Sequence, residues 1–272
     1  MFVGFYTISA AINAKLTKPP EYLPAKDYRD YQGQYVSILH SYMSVMLGLV
    51  VYIVEGGMRY EDPTSVLEVV AISNSLGYFI YDSIYAELFQ IHDWPMRFHH
   101  LGALMACLSI FLSQMGGSVS MLGLVLTEIS NPCILKRNLL KAEMKEETQE
   151  YVTYETMFAV LFILARVVIG TWYLLGVWGS SVNLVYKLTC CALYAVSLFW
   201  VFIILMKVVK KLKLNYSEGL FGWVAWGMFW IRHHKNVLLL SILVLSLAMP
   251  IIVTQVIRAQ PARIYIDNFC VL

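Results

Sequence analysis

Two adjacent histidines, His99 and His100, stand at the entrance of a long apolar run, 101–115, just past its last charge, Arg97. An imidazole at the mouth of a membrane-length helix needs water, a polar partner or a chemical role. Neighbouring helical residues lie about 100° apart around the axis, so the two rings must face different surroundings. One is expected to meet another helix, with Asp82 the candidate partner, and the other to face substrate or water. A carboxylate beside an imidazole fixes its tautomer and raises its basicity, which suits general-base or nucleophilic work. An interhelical hydrogen bond of purely structural use accounts for the same three residues.

The elements that position these groups follow from composition. Of 272 residues, 59% are hydrophobic and 14% charged, with a mean hydropathy of +0.64. Soluble domains hold about 25% charged residues, so this is a membrane composition. The net charge of +2 gives no reason to expect nucleic acid as a partner. A membrane crossing takes roughly 20 apolar residues. Six stretches qualify: about 36–54, 66–89, 98–115, 118–135, 152–178 and 182–206. Residues 237–257 make an expected additional span, and 1–14 are short enough to be an interfacial or tilted segment. Gly116-Gly117 closes the third span tightly onto the fourth. The tryptophan-rich 219–230 is read as interfacial. The expected fold is an all-α polytopic membrane protein. Its organisation is an N-terminal segment (1–33), a transmembrane domain (34–212), an interfacial aromatic and basic segment (213–235), a further helix (236–258) and a tail (259–272).

Charge sets the orientation. If spans alternate, most Lys and Arg residues fall on one side, among them Lys15, Lys26, Arg97, Lys136, Arg137 and the basic face Lys207, Lys210, Lys211 and Lys213. The other side holds Arg59, Arg258 and Arg263. Basic residues concentrate on the cytoplasmic side or its organellar equivalent. The sequon at Asn215 should then stay unmodified. On this topology His40, Asp82, His99, His100 and Asn131 come to a similar depth, most of them within roughly 8–12 Å of the basic interface, with Glu128 one turn deeper than Asn131. Their convergence predicts a polar pocket in that half of the bundle.

Individual residues carry narrower expectations. His40 is read as a helix-start histidine near headgroups. Glu128 and Arg166 are expected to pair near the midplane, and Pro132 to free the carbonyl of Glu128 as a local acceptor. No metal is expected: six histidines form no H-x-x-H-H box, and His92 and His99 straddle Pro95. Five cysteines lack a C-x-x-C pair and imply no disulfide framework.

Four patterns give these residues a family likeness: Ser37-Ile-Leu-His-Ser41, Gly77-Tyr-Phe-Ile-Tyr-Asp82, the His99-His100 pair, and Thr127-Glu-Ile-Ser-Asn-Pro132 followed by Lys136-Arg137-Asn138. With Arg166 in the next span, residues 34–212 resemble the TLC-domain family, which includes ceramide synthases and translocation-associated membrane proteins. The resemblance implies a six-helix bundle around a lipid-accommodating cavity, in the endoplasmic reticulum or a related endomembrane. A mitochondrial inner membrane also fits the charge bias. In the synthase branch the histidine pair moves an acyl group from acyl-CoA to a sphingoid amine. That would make His99 and His100 acyl-handling residues here, with Asp82 an orienting partner. The synthases also carry His-Asp-x-x-Asp in the fourth span, where this chain has Thr127-Glu-Ile-Ser-Asn131, so it looks like the non-synthase branch.

Three functions follow as expectations. The first is a protein that binds or regulates membrane lipids through a pocket of His40, Asp82, His99, His100, Glu128, Asn131 and Arg166, without catalysis or cofactor. The second is an acyl-CoA-dependent N-acyltransferase with acyl-CoA as co-substrate. The third is an accessory subunit partnered by other membrane proteins.

Overall fold

A computed structural model describes residues 1–57, 59 and 62–211 of the chain, and these are helical nearly throughout. The elements are α1 (Phe2–Leu16), α2 (Ala25–Val54), α3 (Val66–Phe89), α4 (Trp94–Ser113), α5 (Gly117–Glu128), α6 (Asn131–Ala142), α7 (Gln149–Ile163), a π-helical turn (Leu164–Ile169), α8 (Gly170–Gly179) and α9 (Leu184–Lys211). Among the described residues five segments are long and apolar enough to cross a membrane: Ala25–Val54, Trp94–Ser113, Gly117–Ala142, Gln149–Gly179 and Leu184–Val208. Large apolar side chains such as Leu49, Ile53, Ile84, Leu112 and Trp172 point outward, as a lipid-bathed surface requires. The protein is an all-α polytopic membrane protein.

Local chemistry explains where the helices begin and end. Ser65 and Glu68 form a reciprocal capping box at the start of α3, which satisfies two orphan backbone donors. Arg59 then pairs with the buried Glu68 carboxylate at 3.0 Å. The α3–α4 turn is short: Gln90 ends α3 in a left-handed conformation, and Asp93 caps α4 by accepting from the Met96 amide, with Pro95 in the first turn. Gly116, at φ 82°, makes the tight link from α4 to α5.

The fourth crossing is broken. Pro132 has no amide to donate, and the helix stops at Glu128 and restarts at Asn131. The acceptor put to use there is the carbonyl of Thr127, which takes Nη2 of Arg166. That carbonyl lies one residue before the Glu128 carbonyl, which the missing Pro132 amide leaves without its helical donor.

Packing inside the bundle relies on close approach. A Cβ on Gly48 would strike the Val125 side chain, and one on Gly77 would lie 2.5 Å from Cβ of Phe2. Helix α1 therefore lies directly against α3, anchored by Tyr6, which is fully buried and donates to Asn74 Oδ1 at 2.8 Å. At 15 residues α1 is short for a crossing. The expectations for residues 213–272, including Lys213, Asn215 and the additional span, lie outside the described residues, as do the side chains of Lys210 and Lys211.

Candidate functional site

A cavity of about 480 Å³ opens among α2, α3, α4, α6, α7 and α9. It lies toward the end where α3 turns into α4, the end that carries most of the Lys and Arg among the described residues. Its walls hold Asp82, His92, His99, His100, Glu128, Asn131 and Arg166, with Lys207 also on the lining. A second, narrower and mostly apolar cavity of about 80 Å³ continues from it, and the two share Phe79, His99 and Arg166. The wide chamber mixes charged and apolar side chains, and the tight one is almost wholly apolar.

The α3–α4 hairpin builds the polar chamber. Asp82 is eight residues before Gln90 and His100 seven after Asp93, so antiparallel helices bring them to one level. Asp82 Oδ2 lies 3.0 Å from His100 Nδ1 and 3.5 Å from His92 Nε2. The turn that carries His92 is clamped by Arg97, whose guanidinium bonds the His92 carbonyl, Gln90 Oε1 and the Glu87 carboxylate. Burial draws the His92 imidazole below its ordinary pKa, with the Asp82 carboxylate pulling the other way. His92 lies on the turn between the helices, off the helical faces from which the pocket is expected, and the sequence names it only as a histidine separated from His99 by Pro95. The signal was its place one residue before the α4 cap, at the only turn joining Asp82 to His100.

His99 faces away from Asp82. It is buried edge-on to Trp200, with ring centroids 5.2 Å apart, and its Nδ1 has no hydrogen-bond partner among the described residues. It stands where the two chambers meet. Arg166 reaches the same junction from the π-helical turn, an irregularity that re-aims a side chain and is frequent at functional sites. Its guanidinium is tied to Ser197 Oγ at 3.3 Å and lies over the Phe162 ring.

Glu128 and Arg166 do not form the expected pair. Arg166 spends its hydrogen bonds on Thr127 and Ser197, while Glu128 Oε2 accepts from Ser41 at 2.7 Å and Asn131 at 2.9 Å. The break in the fourth crossing separates the two directions: Glu128 turns toward α2 and Arg166 meets the end of α5. His40 also departs from expectation. It is fully buried rather than near headgroups, with Nε2 2.9 Å from Ser44 Oγ and its ring stacked on Tyr78 at 3.7 Å. It stands behind the cavity wall, and its Nδ1 approaches Glu128 at 3.7 Å. The structure thus sets a framework cluster (His40, Ser44, Ser75) behind the chamber, with Glu128 reaching from it onto the chamber wall.

Chemically, the chambers offer a carboxylate and two imidazoles at the wide end and an imidazole with a guanidinium at the junction. A hydrocarbon chain suits the inner walls, which include Ala103, Ala106, Leu126, Leu174 and Leu193. A family model described as the TLC domain matches residues 30–257. The match takes in 213–257 as well as the bundle. No curated protein and no solved structure matches the chain.

Proposed function

Since the chain belongs to the TLC domain family, we propose that it binds a membrane lipid, with the headgroup in the polar chamber and an acyl chain in the apolar one. The observation that carries this reading is the junction: a chamber holding several charged and polar side chains and an almost wholly apolar one share Phe79, His99 and Arg166. Binding sites combine apolar walls with a few convergent polar groups that fix orientation, and this pair of chambers has that composition. Arg166 is the group suited to a phosphate or carbonyl oxygen at the junction, because its charge persists even when buried. Mass spectrometry of lipids that stay with the purified chain, compared with an unrelated multi-pass protein in the same detergent, tests the reading. One lipid class should be enriched, and the enrichment should fall by about tenfold in Arg166→Gln, the loss of one charge-assisted hydrogen bond. Equal lipid profiles for the two proteins would sink it.

Acyl transfer is the second reading, favoured by the partnerless Nδ1 of His99 at the junction. An imidazole nitrogen there would attack a thioester carbonyl and expel the CoA thiolate. An amine would then take the acyl group from the imidazole and release its proton to a neighbouring base. His100 is that neighbour, with ring centroids 5.8 Å apart. Assay in liposomes with acyl-CoA and candidate amines decides it: turnover unchanged in both His99→Ala and His100→Ala excludes this chemistry.

A further inference from the structure

We propose that Asp82, His92 and His100 form a binding site for a divalent first-row transition metal ion, zinc by its donor set. The three residues each present one ligand atom, and these atoms all lie within 4.8 Å of one another. Four-coordinate zinc binds oxygen and nitrogen at about 2.0–2.1 Å, so its ligand atoms sit about 3.3–3.4 Å apart. The two measured edges, 3.0 and 3.5 Å, bracket that spacing.

Proximity alone would equally describe a hydrogen-bonded carboxylate and imidazole. Orientation separates the two. Among the described residues Asp82 Oδ2 and His100 Nδ1 are both buried and neither makes an aligned hydrogen bond, although they lie 3.0 Å apart. The ring N–H does not point along the line to the oxygen. A lone pair on each atom is instead left for a third party, and a cation supplies it. Leaving such buried groups unsatisfied is costly, so a cation that takes up their lone pairs at once is favoured. The Asp82 side chain is 9% exposed and lines the large cavity together with both histidines.

The surroundings match what a metal site requires. Two imidazoles and one carboxylate leave a fourth position for water or another oxygen, the pattern of an open rather than a closed zinc centre. Arg97 fixes the backbone of the ligand on the turn through the His92 carbonyl. Clamped ligands hold their geometry before the ion arrives, which raises affinity. The site stands whether or not the cavity takes lipid.

The test uses the full-length chain, purified in detergent through a tag that carries no histidine. After dialysis against metal-free buffer and addition of zinc, elemental analysis should return one zinc per chain. Co²⁺ in its place should give the visible absorption of a low-coordinate N/O site. Asp82→Ala, His92→Ala and His100→Ala should each weaken zinc binding by at least about tenfold. His99→Gln, one residue away and facing Trp200, should retain it. Variants are compared by thermal unfolding without metal, so that misfolding is distinguished from ligand loss. No zinc on a folded wild-type chain, or equal zinc on the His92→Ala chain, overturns the proposal. Neither outcome bears on lipid occupancy, which is measured separately.

Discussion

Asp82 Oδ2 and His100 Nδ1 lie 3.0 Å apart across the α3–α4 hairpin, yet among the described residues neither completes an aligned hydrogen bond. His92 Nε2 approaches the same oxygen from the turn at 3.5 Å. A hairpin with so short a turn leaves the register between its two helices little freedom, and the three groups inherit that rigidity. If they hold an ion, chelation should destabilise the chain. We expect prolonged EDTA treatment to lower the unfolding temperature of wild type and to leave Asp82→Ala unchanged, because binding to the native state alone stabilises by mass action. Calorimetry or fluorescence-detected unfolding in detergent reads both.

His40 should matter for stability. Its imidazole is fully buried, stacked on Tyr78 and bonded to Ser44 and Ser75. His40→Ala leaves a cavity and strips partners from buried hydroxyls, a combined cost of about 2–4 kcal/mol. A histidine near headgroups would cost under about 0.5 kcal/mol. Unfolding of the two proteins side by side distinguishes the positions.

Gly77→Ala should loosen α1. The new Cβ would lie 2.5 Å from Cβ of Phe2 and 3.0 Å from the backbone of Phe2 and Val3, where no flexible side-chain tip can swing away. Overpacking of this kind costs about 1–3 kcal/mol. The readout is faster proteolysis in the 17–24 link, with the rest of the bundle protected. Equal cleavage of variant and wild type would mean that α1 does not rest on α3.

Glu143 gives a pH dependence outside the spans. Burial alone would raise its pKa, but hydrogen bonds from Lys145 and Tyr31 outweigh it and hold the carboxyl below the ordinary value. A lowered folded pKa means stabilisation that is present above the unfolded value and lost as pH falls through the folded one. Glu143→Gln should therefore unfold slightly earlier than wild type at pH 7, by under about 1 kcal/mol for so open a group. The gap should close in acid below the carboxylate range. A gap that widens in acid contradicts the assignment.

The acyl-transfer reading makes its own demand on Lys207, which lines the polar chamber from α9. If CoA docks there, Lys207→Glu should raise KM for acyl-CoA several-fold and leave kcat unchanged, since a remote phosphate contact binds substrate and transition state alike. Steady-state kinetics in liposomes provides the comparison.

Hydropathy and length by themselves determined the membrane class and the long helices, because a bilayer demands unbroken apolar stretches with their backbone bonds satisfied internally. The motifs around Asp82, His99 and Asn131 carried the family. Depth along each helix could be counted, and that placed Asp82 level with His100. Rotation around each helix could not, since nearly every face of these spans is apolar and periodicity gives no bearing. Tertiary packing alone therefore decided that His100 rather than His99 meets Asp82, that His40 is walled in behind Tyr78, and that Glu128 and Arg166 turn apart at the proline break. It also brought in His92, a turn residue whose backbone is held by Arg97 beside a carboxylate ten positions earlier in the chain.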